Sequence, residues 1–211
     1  MRCCPLCSET KVTVYHQDHR RDYYQCATCL LVFVPSEQHL SAADEKAEYD
    51  KHQNSPDDTG YRDFLGRLFA PLRAKLPKGA KGLDFGAGPG PTLSVMFEEV
   101  GHPMAIFDIF YAPDTSVLQH SYDFITATEV LEHLALPGQV LTQLVGQLAP
   151  GGYLGLMTKR VTTQAAFSRW HYINDPTHVC FFSEATFKWW AAKHQLTVEF
   201  PAKDTVILRK H

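Results

Sequence analysis

Five of the six cysteines stand within the first 29 residues: Cys3, Cys4, Cys7, Cys26 and Cys29. They form two C-x-x-C pairs, Cys4-Pro5-Leu6-Cys7 and Cys26-Ala27-Thr28-Cys29, with 18 residues between them. A tight turn over two intervening residues presents two thiolates to one ion at about 2.3 Å, and a second such turn completes a tetrahedral Zn²⁺ shell. A gap of roughly 15–20 residues between such pairs is a zinc spacing. Cys4, Cys7, Cys26 and Cys29 are therefore the expected ligands of a structural zinc ion. Cys3 could replace Cys4, but the C-P-x-C turn favours Cys4. A disulfide framework would spread its cysteines along the chain, and here only Cys180 lies apart.

A second chemistry is written at residues 81–90, Lys-Gly-Leu-Asp-Phe-Gly-Ala-Gly-Pro-Gly. Residues 83–85 read as a short strand, Gly86-x-Gly88-x-Gly90 as a turn, and a helix begins near Pro91. Glycines let the backbone approach a ligand closely, and the helix start supplies N–H donors. Asp108 ends the next strand, residues 104–107, about twenty residues on, where a carboxylate can take both hydroxyls of a ribose. A dinucleotide site would carry G-x-G-x-x-G, and Pro91 stands where the third glycine belongs. Asp84, two residues before Gly86, would repel a pyrophosphate but suits a ligand with a free ammonium group. S-adenosylmethionine is such a ligand.

Two histidines could act on an acceptor. His133 follows Glu129 by four residues, which predicts both on one face of a short helix. His178 closes a loop, residues 170–178, dense in aromatic rings and histidine, with turn chemistry at Asn174-Asp175-Pro176. A neutral imidazole at a strand end can take a proton from a hydroxyl. His133 and His178 are the expected catalytic bases, flanking the reaction path from opposite sides. His171 and Trp189-Trp190 read as surface and packing residues.

These groups need elements to position them. Residues 11–15, 22–25 and 30–34 read as three short strands that carry the cysteine turns, a zinc ribbon whose core is too small to fold without metal. Its charges nearly balance, which speaks against a phosphate-binding role and for a structural or substrate-shaping lid. A helix is expected from Ser36 to 52, then a turn-rich loop at 54–60, then an amphipathic helix over 61–76 with Pro71 inside it. Tyr49, His52, Asn54 and Tyr61 surround this loop, which could close over a ligand. Ser183 is a good N-cap for a helix over 184–194, and residues 196–200 and 205–208 read as a closing strand pair. The domains expected are a ribbon at 1–35, a helical linker or lid at 36–80 and an α/β domain at 81–211. With 45% hydrophobic and 20% charged residues among 211, the chain is globular rather than disordered. A net charge of −3 argues against a dedicated nucleic-acid binder. The absence of any membrane-length apolar run, and of an apolar core in MRCCPLC, leads us to expect a cytoplasmic protein without membrane contact.

Three segments resemble one family. Leu83-Asp84-Phe85-Gly86-Ala87-Gly88-Pro89-Gly90 resembles the first motif of the class I S-adenosylmethionine-dependent methyltransferases. The stretch from Asp123 to His133, ending Glu129-Val130-Leu131-Glu132-His133, resembles their next signature, and Ala149-Pro150-Gly151-Gly152 their turn before the fifth strand. The resemblance covers about residues 61–211. It implies a Rossmann-like doubly wound α/β sheet with an antiparallel last strand. It also implies that Gly86, Gly88 and Gly90 contact the methionine part of the cofactor, Asp108 the ribose and Asp84 the amino group, with Thr128 and Glu129 on the sulfonium side and His133 near the methyl. Residues 112–122 are short for the usual third strand and adenine loop, so Ser116 to Leu118 are adenine candidates by position only. The acceptor expected is a small molecule. An RNA or protein methyltransferase that reads its substrate with the ribbon, and a zinc-ribbon interaction protein with a vestigial methyltransferase fold, are the alternatives.

Overall fold

The structure, a computed structural model, describes residues 2–51 and 54–211. His52, expected at the mouth of the lid, lies outside the described residues. Strands β1 (Val12–Gln17), β2 (Asp22–Cys26) and β3 (Val32–Phe33) form an antiparallel ribbon. The ribbon does not stand alone. β3 pairs with β8 (Cys180–Phe181), so four strands in the order β1-β2-β3-β8 bind the first thirty residues to a segment near the other end of the chain. Tyr23 and Leu31 are fully buried there. The Tyr23 ring meets Phe167 edge-on at 5.1 Å, and Phe167 meets Phe181 at 5.2 Å. Each large ring removed from water contributes about 1.5–3 kcal/mol, so the ribbon adds to one shared core.

The main sheet has six strands in the order β5-β4-β6-β7-β10-β9. β4 (Gly82–Phe85), β5 (Met104–Phe107), β6 (Tyr122–Thr128) and β7 (Leu148–Met157) run parallel. β10 (Thr205–Lys210) lies antiparallel between β7 and β9 (Leu196–Ala202). Alternation along β10 shows the two covered faces: Val206 and Leu208 enter one core and Ile207 the other. The Ile207 face is covered by α2 (Thr59–Arg73) through Leu65, Leu68 and Leu72, and by α3 (Thr92–Glu99) through Leu93, Met96 and Phe97. The opposite face is covered by α4 (Pro137–Gln147), by α6 (Glu184–Lys193) and by the ribbon. This is the doubly wound α/β architecture with an antiparallel last strand.

Local signals explain most boundaries. Ser183 caps α6 in a capping box with Thr186. Before the sheet, α1 (Ala42–Tyr49) starts at Ser41 rather than at Ser36, which instead opens a single 3₁₀ turn, Ser36–Gln38. The Ser41 side chain accepts from the Asp44 N–H, whereas no side chain caps the Ser36–Gln38 turn. α5 (Gln164–Phe167) is one turn capped by Thr163. Between β5 and β6 there is only the 3₁₀ turn Thr115–Gln119, so β5 is the sheet edge. Among the described residues, no helix is long and apolar enough to cross a membrane.

Candidate active site and metal centre

The chain leaves β4 through Gly86 and Gly88, whose φ angles are 73° and 65°. Such angles cost a residue with a Cβ roughly 1–2 kcal/mol. Beside Gly88 the space where a side chain would stand is empty, so a ligand can lie on the backbone there. Gly90 is covered: a Cβ on it would sit 2.1 Å from the carbonyl oxygen of Asn54. Asn54 in turn donates to the Tyr61 hydroxyl at 3.3 Å. The linker thus passes over the glycine turn, while a groove of about 700 Å³ lies elsewhere, between the cysteine turns and α4 and α6.

Asp108 stands at the end of β5, as the spacing predicts, but its carboxylate is already employed. Oδ2 accepts from the Gly88 N–H at 3.0 Å, and Oδ1 from Phe110 at 2.8 Å and Tyr111 at 3.1 Å. A carboxylate offers about four acceptor positions, so Asp108 has room for one ribose hydroxyl rather than both. It also fixes the glycine turn. Asp84 is buried, accepts from the Thr126 hydroxyl at 2.6 Å, and is pushed up to about 6 by burial. Thr128 is half-buried at the end of β6. The adenine candidates Ser116 to Leu118 lie on the 3₁₀ turn beside β5, with the Ser116 backbone held by Asp114 at 2.9 Å.

Past β6 the structure differs from the helical expectation. Glu129 has a φ of 51°, and the 3₁₀ turn Leu131–His133 begins after it. Glu129 and His133 therefore do not share a helix face. Val130 packs instead against Gly86, within 2.4 Å of where its Cβ would be, and joins this segment to the glycine turn. What gathers the acidic groups is Tyr172, absent from the sequence-based site. Its hydroxyl donates to the Glu132 carboxylate and lies 3.4 Å from Glu129 Oε2. Glu132 Oε2 and Glu129 Oε1 are buried with no hydrogen-bond partner among the described residues. Burial is the main cause that pushes Glu129 up to about 7 and Glu132 well above the carboxylate range; the Glu129 charge adds to the rise at Glu132.

His133 and His178 do not flank the path from opposite sides. Their rings lie side by side with centroids 4.7 Å apart, and the His178 ring lies 4.1 Å from Tyr172. His178 Nδ1 is 2.8 Å from the Tyr172 carbonyl, and His133 Nδ1 is 3.3 Å from that of Thr177. Burial holds His178 below its ordinary value. Tyr49 of α1 meets the His133 ring edge-on at 5.2 Å, and the Tyr111 hydroxyl donates to Asp50 at 2.7 Å. The linker helix therefore spans from the histidine pair to the loop after Asp108. His171 is exposed, with its Nε2 3.0 Å from Lys159 Nζ.

Arg21 of the ribbon also escaped sequence reasoning. It is 8% exposed, and its guanidinium donates to the carbonyls of Ile173, Asp175, Pro176 and His178 at 2.7–3.0 Å. No motif marks it; an arginine in the β1–β2 turn, at the other end of β2 from Cys26, shows its role only when the loop it holds is in place.

The Sγ atoms of Cys4, Cys7, Cys26 and Cys29 all lie within 4.8 Å of one another, with Cys4–Cys29 at 3.4 Å and Cys7–Cys26 at 3.5 Å. A tetrahedral zinc with 2.3 Å bonds requires sulfurs about 3.8 Å apart, whereas a disulfide needs about 2.05 Å. The four-sulfur set fits zinc. Cys3 is exposed and outside it.

Comparison with known proteins adds a sequence match and several fold matches. The model of the family described as "Methyltransferase domain" matches residues 53–199. A comparison with curated proteins gives no match. Among solved structures, Burkholderia thailandensis 1,6-didemethyltoxoflavin-N1-methyltransferase, with 1,6-didemethyltoxoflavin and S-adenosylhomocysteine bound, is similar over 92% of this chain and 97% of its own, at 17% identity and a TM-score of 0.52. A chain of the Haloferax volcanii complex between the Trm112 methyltransferase activator and a methyltransferase matches over 81% and 98%, at 15% identity and 0.53. CalO1, a methyltransferase in calicheamicin biosynthesis in its S-adenosylhomocysteine-bound form, matches over 81% and 59%, at 13% identity and 0.53.

Proposed function

Because the chain belongs to the methyltransferase-domain family, we propose that it transfers the methyl group of S-adenosylmethionine to a small-molecule acceptor. The observation that carries this reading is the meeting, at Val130 and Gly86, of two unlike half-sites. One is an open backbone cradle at Gly88 with Asp108 behind it; the other is a buried cluster of Glu129, Glu132, His133, Tyr172 and His178. Structures of this fold hold S-adenosylhomocysteine, which supports the donor. One of them holds a small-molecule acceptor, which supports the acceptor class.

When bound, S-adenosylmethionine supplies a sulfonium methyl whose transfer is driven by release of the positive charge. Gly86 and Gly88 bear the methionine part on the backbone, with Gly90 beneath the Asn54 carbonyl closing the end of the turn, and Asp108 takes one ribose hydroxyl. Asp84 sits beneath the turn as a negative group for the amino end, and Thr128 and Glu129 face the sulfonium. Ser116 to Leu118 line the adenine side. Histidine was the base expected from sequence; we place the proton on Glu129 instead. Its Oε1 is buried with no hydrogen-bond partner among the described residues, and at about 7 it matches a working pH near neutral. His178, held low by burial, is the weaker base, and with His133 it contacts and orients the acceptor.

The ribbon acts in this reading as a wall. Zinc held by Cys4, Cys7, Cys26 and Cys29 stiffens the strand pair that carries Arg21, and Arg21 fixes residues 173–178 and with them His178. That role favours a small acceptor over a nucleic acid read by the ribbon. Incubation with S-adenosylmethionine and the small molecules that co-purify with the protein should yield a product heavier by one methyl group, with S-adenosylhomocysteine formed in equal amount. A panel containing RNA and protein acceptors that is methylated while every small molecule stays unmodified would overturn the acceptor class.

A further inference from the structure

The acceptor-side cluster holds more than a base. Glu132, His133 and His178 each offer a ligand atom, and all three atoms lie within 4.8 Å of one another. We propose that Glu132, His133 and His178 hold one divalent transition-metal ion, separate from the ion of the four-cysteine site.

Three features of the geometry support this. Both imidazoles turn Nδ1 toward a backbone carbonyl, Tyr172 for His178 and Thr177 for His133. That contact orients both rings, the usual outer support of ligating histidines, and His178 Nε2 lies 3.7 Å from the Asp175 carboxylate, a further acidic group beside the set. Glu132 has one carboxylate oxygen engaged by the Tyr172 hydroxyl, and its other oxygen is buried with no hydrogen-bond partner among the described residues. A fully buried carboxylate oxygen that touches no donor costs free energy, and a cation is the occupant that removes the cost. Two nitrogens and one carboxylate oxygen, with positions left open, form a set that suits iron, manganese, cobalt or zinc rather than magnesium. Charge agrees: Glu129 and Glu132 lie together in the interior, and Lys159 is the cation acting on Glu129.

The use of the ion rests on the methyltransferase reading; its binding does not. An acceptor hydroxyl oxygen taking an open position would be acidified. Its O–H bond then breaks, the proton passes to the Glu129 carboxylate, and the oxygen lone pair attacks the methyl carbon. The C–S bond breaks as the C–O bond forms, and its electron pair stays on the neutral thioether sulfur.

The test uses the full chain, stripped with chelator under reducing conditions and titrated with Co²⁺. Four-thiolate cobalt shows intense sulfur charge-transfer bands, whereas a histidine–carboxylate site shows only weak d–d bands. The expected result is two ions per chain, with the weak-band ion lost in both Glu132→Gln and His178→Asn while the thiolate bands remain. The thiolate bands report that each variant keeps its ribbon, and the wild-type stoichiometry needs no variant. One ion per chain, with thiolate bands alone, overturns the proposal, as does a second ion that survives both substitutions. S-adenosylhomocysteine binding is measured in parallel. Binding of the nucleoside with a single metal ion sinks the ion and leaves the methyltransferase reading standing; two ions without nucleoside binding do the reverse.

Discussion

The two halves of the candidate site are built by different means. The cofactor half is backbone: a strand end, a turn with two positive φ angles, and one aspartate that ties the Gly88 N–H of that turn to the Phe110 and Tyr111 N–H groups of the loop after β5. The acceptor half is side chains brought from three places: residues 129–133 after β6, residues 172–178 before β8, and Arg21 from the ribbon. A backbone cradle tolerates change in its surroundings because its shape is local. A side-chain cluster depends on whatever holds its parts together, here a tyrosine hydroxyl and one guanidinium. Damage to the ribbon should therefore impair the acceptor half and spare the cofactor half.

The largest effect should come from Glu129→Gln, which removes the proposed base. It should lower kcat by about 10²–10⁴-fold with affinity for S-adenosylhomocysteine, which has no sulfonium charge for Glu129 to face, nearly unchanged, read by steady-state kinetics beside a binding titration. An equal loss in both quantities would erase the division between the halves. Arg21→Ala should follow, lowering kcat by on the order of 10²-fold, since a misplacement of about 1 Å can cost that much. Its S-adenosylhomocysteine affinity should stay at the wild-type value. Removing zinc, or Cys26→Ser, should act in the same direction and also lower stability, because β3 pairs with β8 and loss of order in the ribbon reaches the core.

The third effect is on stability against pH. Glu129 and Glu132 both have folded-state values above the unfolded 4.5. Between about 4.5 and 7 the folded chain holds more protons than the unfolded one. Glu129 thus stabilises the fold below that window and loses this contribution as pH rises through it, and Glu132 acts in the same direction. At about 1.4 kcal/mol for each unit of displacement, Glu129 alone accounts for about 3 kcal/mol. Glu132→Gln removes one charge of the pair and should flatten the decline, seen by denaturant unfolding at pH 5 and pH 8. An unchanged slope would mean that the two carboxylates are not coupled.

What the sequence showed and hid follows the same division. The glycine turn, Asp108 and the four cysteines are spacings within short stretches, and local geometry sets them. The capping serine of α6 was legible for the same reason. Glu132 and Tyr172 lie 40 residues apart and Arg21 and His178 lie 157 apart, so no spacing rule relates them. β8 is two residues long, too short to show any periodicity, yet it joins the ribbon to the core. The helical pairing of Glu129 with His133 failed because the chain needs a left-handed residue at Glu129 to leave β6, and that breaks the 3.6-residue period. Asp108 stands at the strand end that the spacing predicts, but two of its three backbone bonds come from Phe110 and Tyr111, whose turn no spacing shows.

The smallest expected effect bears on the central claim, that the glycine turn and Asp108 bind the methyl donor. Calorimetric titration of the full chain with S-adenosylhomocysteine measures it directly. One molecule should bind per chain; Asp108→Ala should weaken it by about 1.5–3 kcal/mol, the scale of hydrogen bonds to a charged group, and Glu129→Gln should leave it unchanged. No saturable binding to the wild-type chain, or equal affinity in the Asp108→Ala variant, would contradict the account.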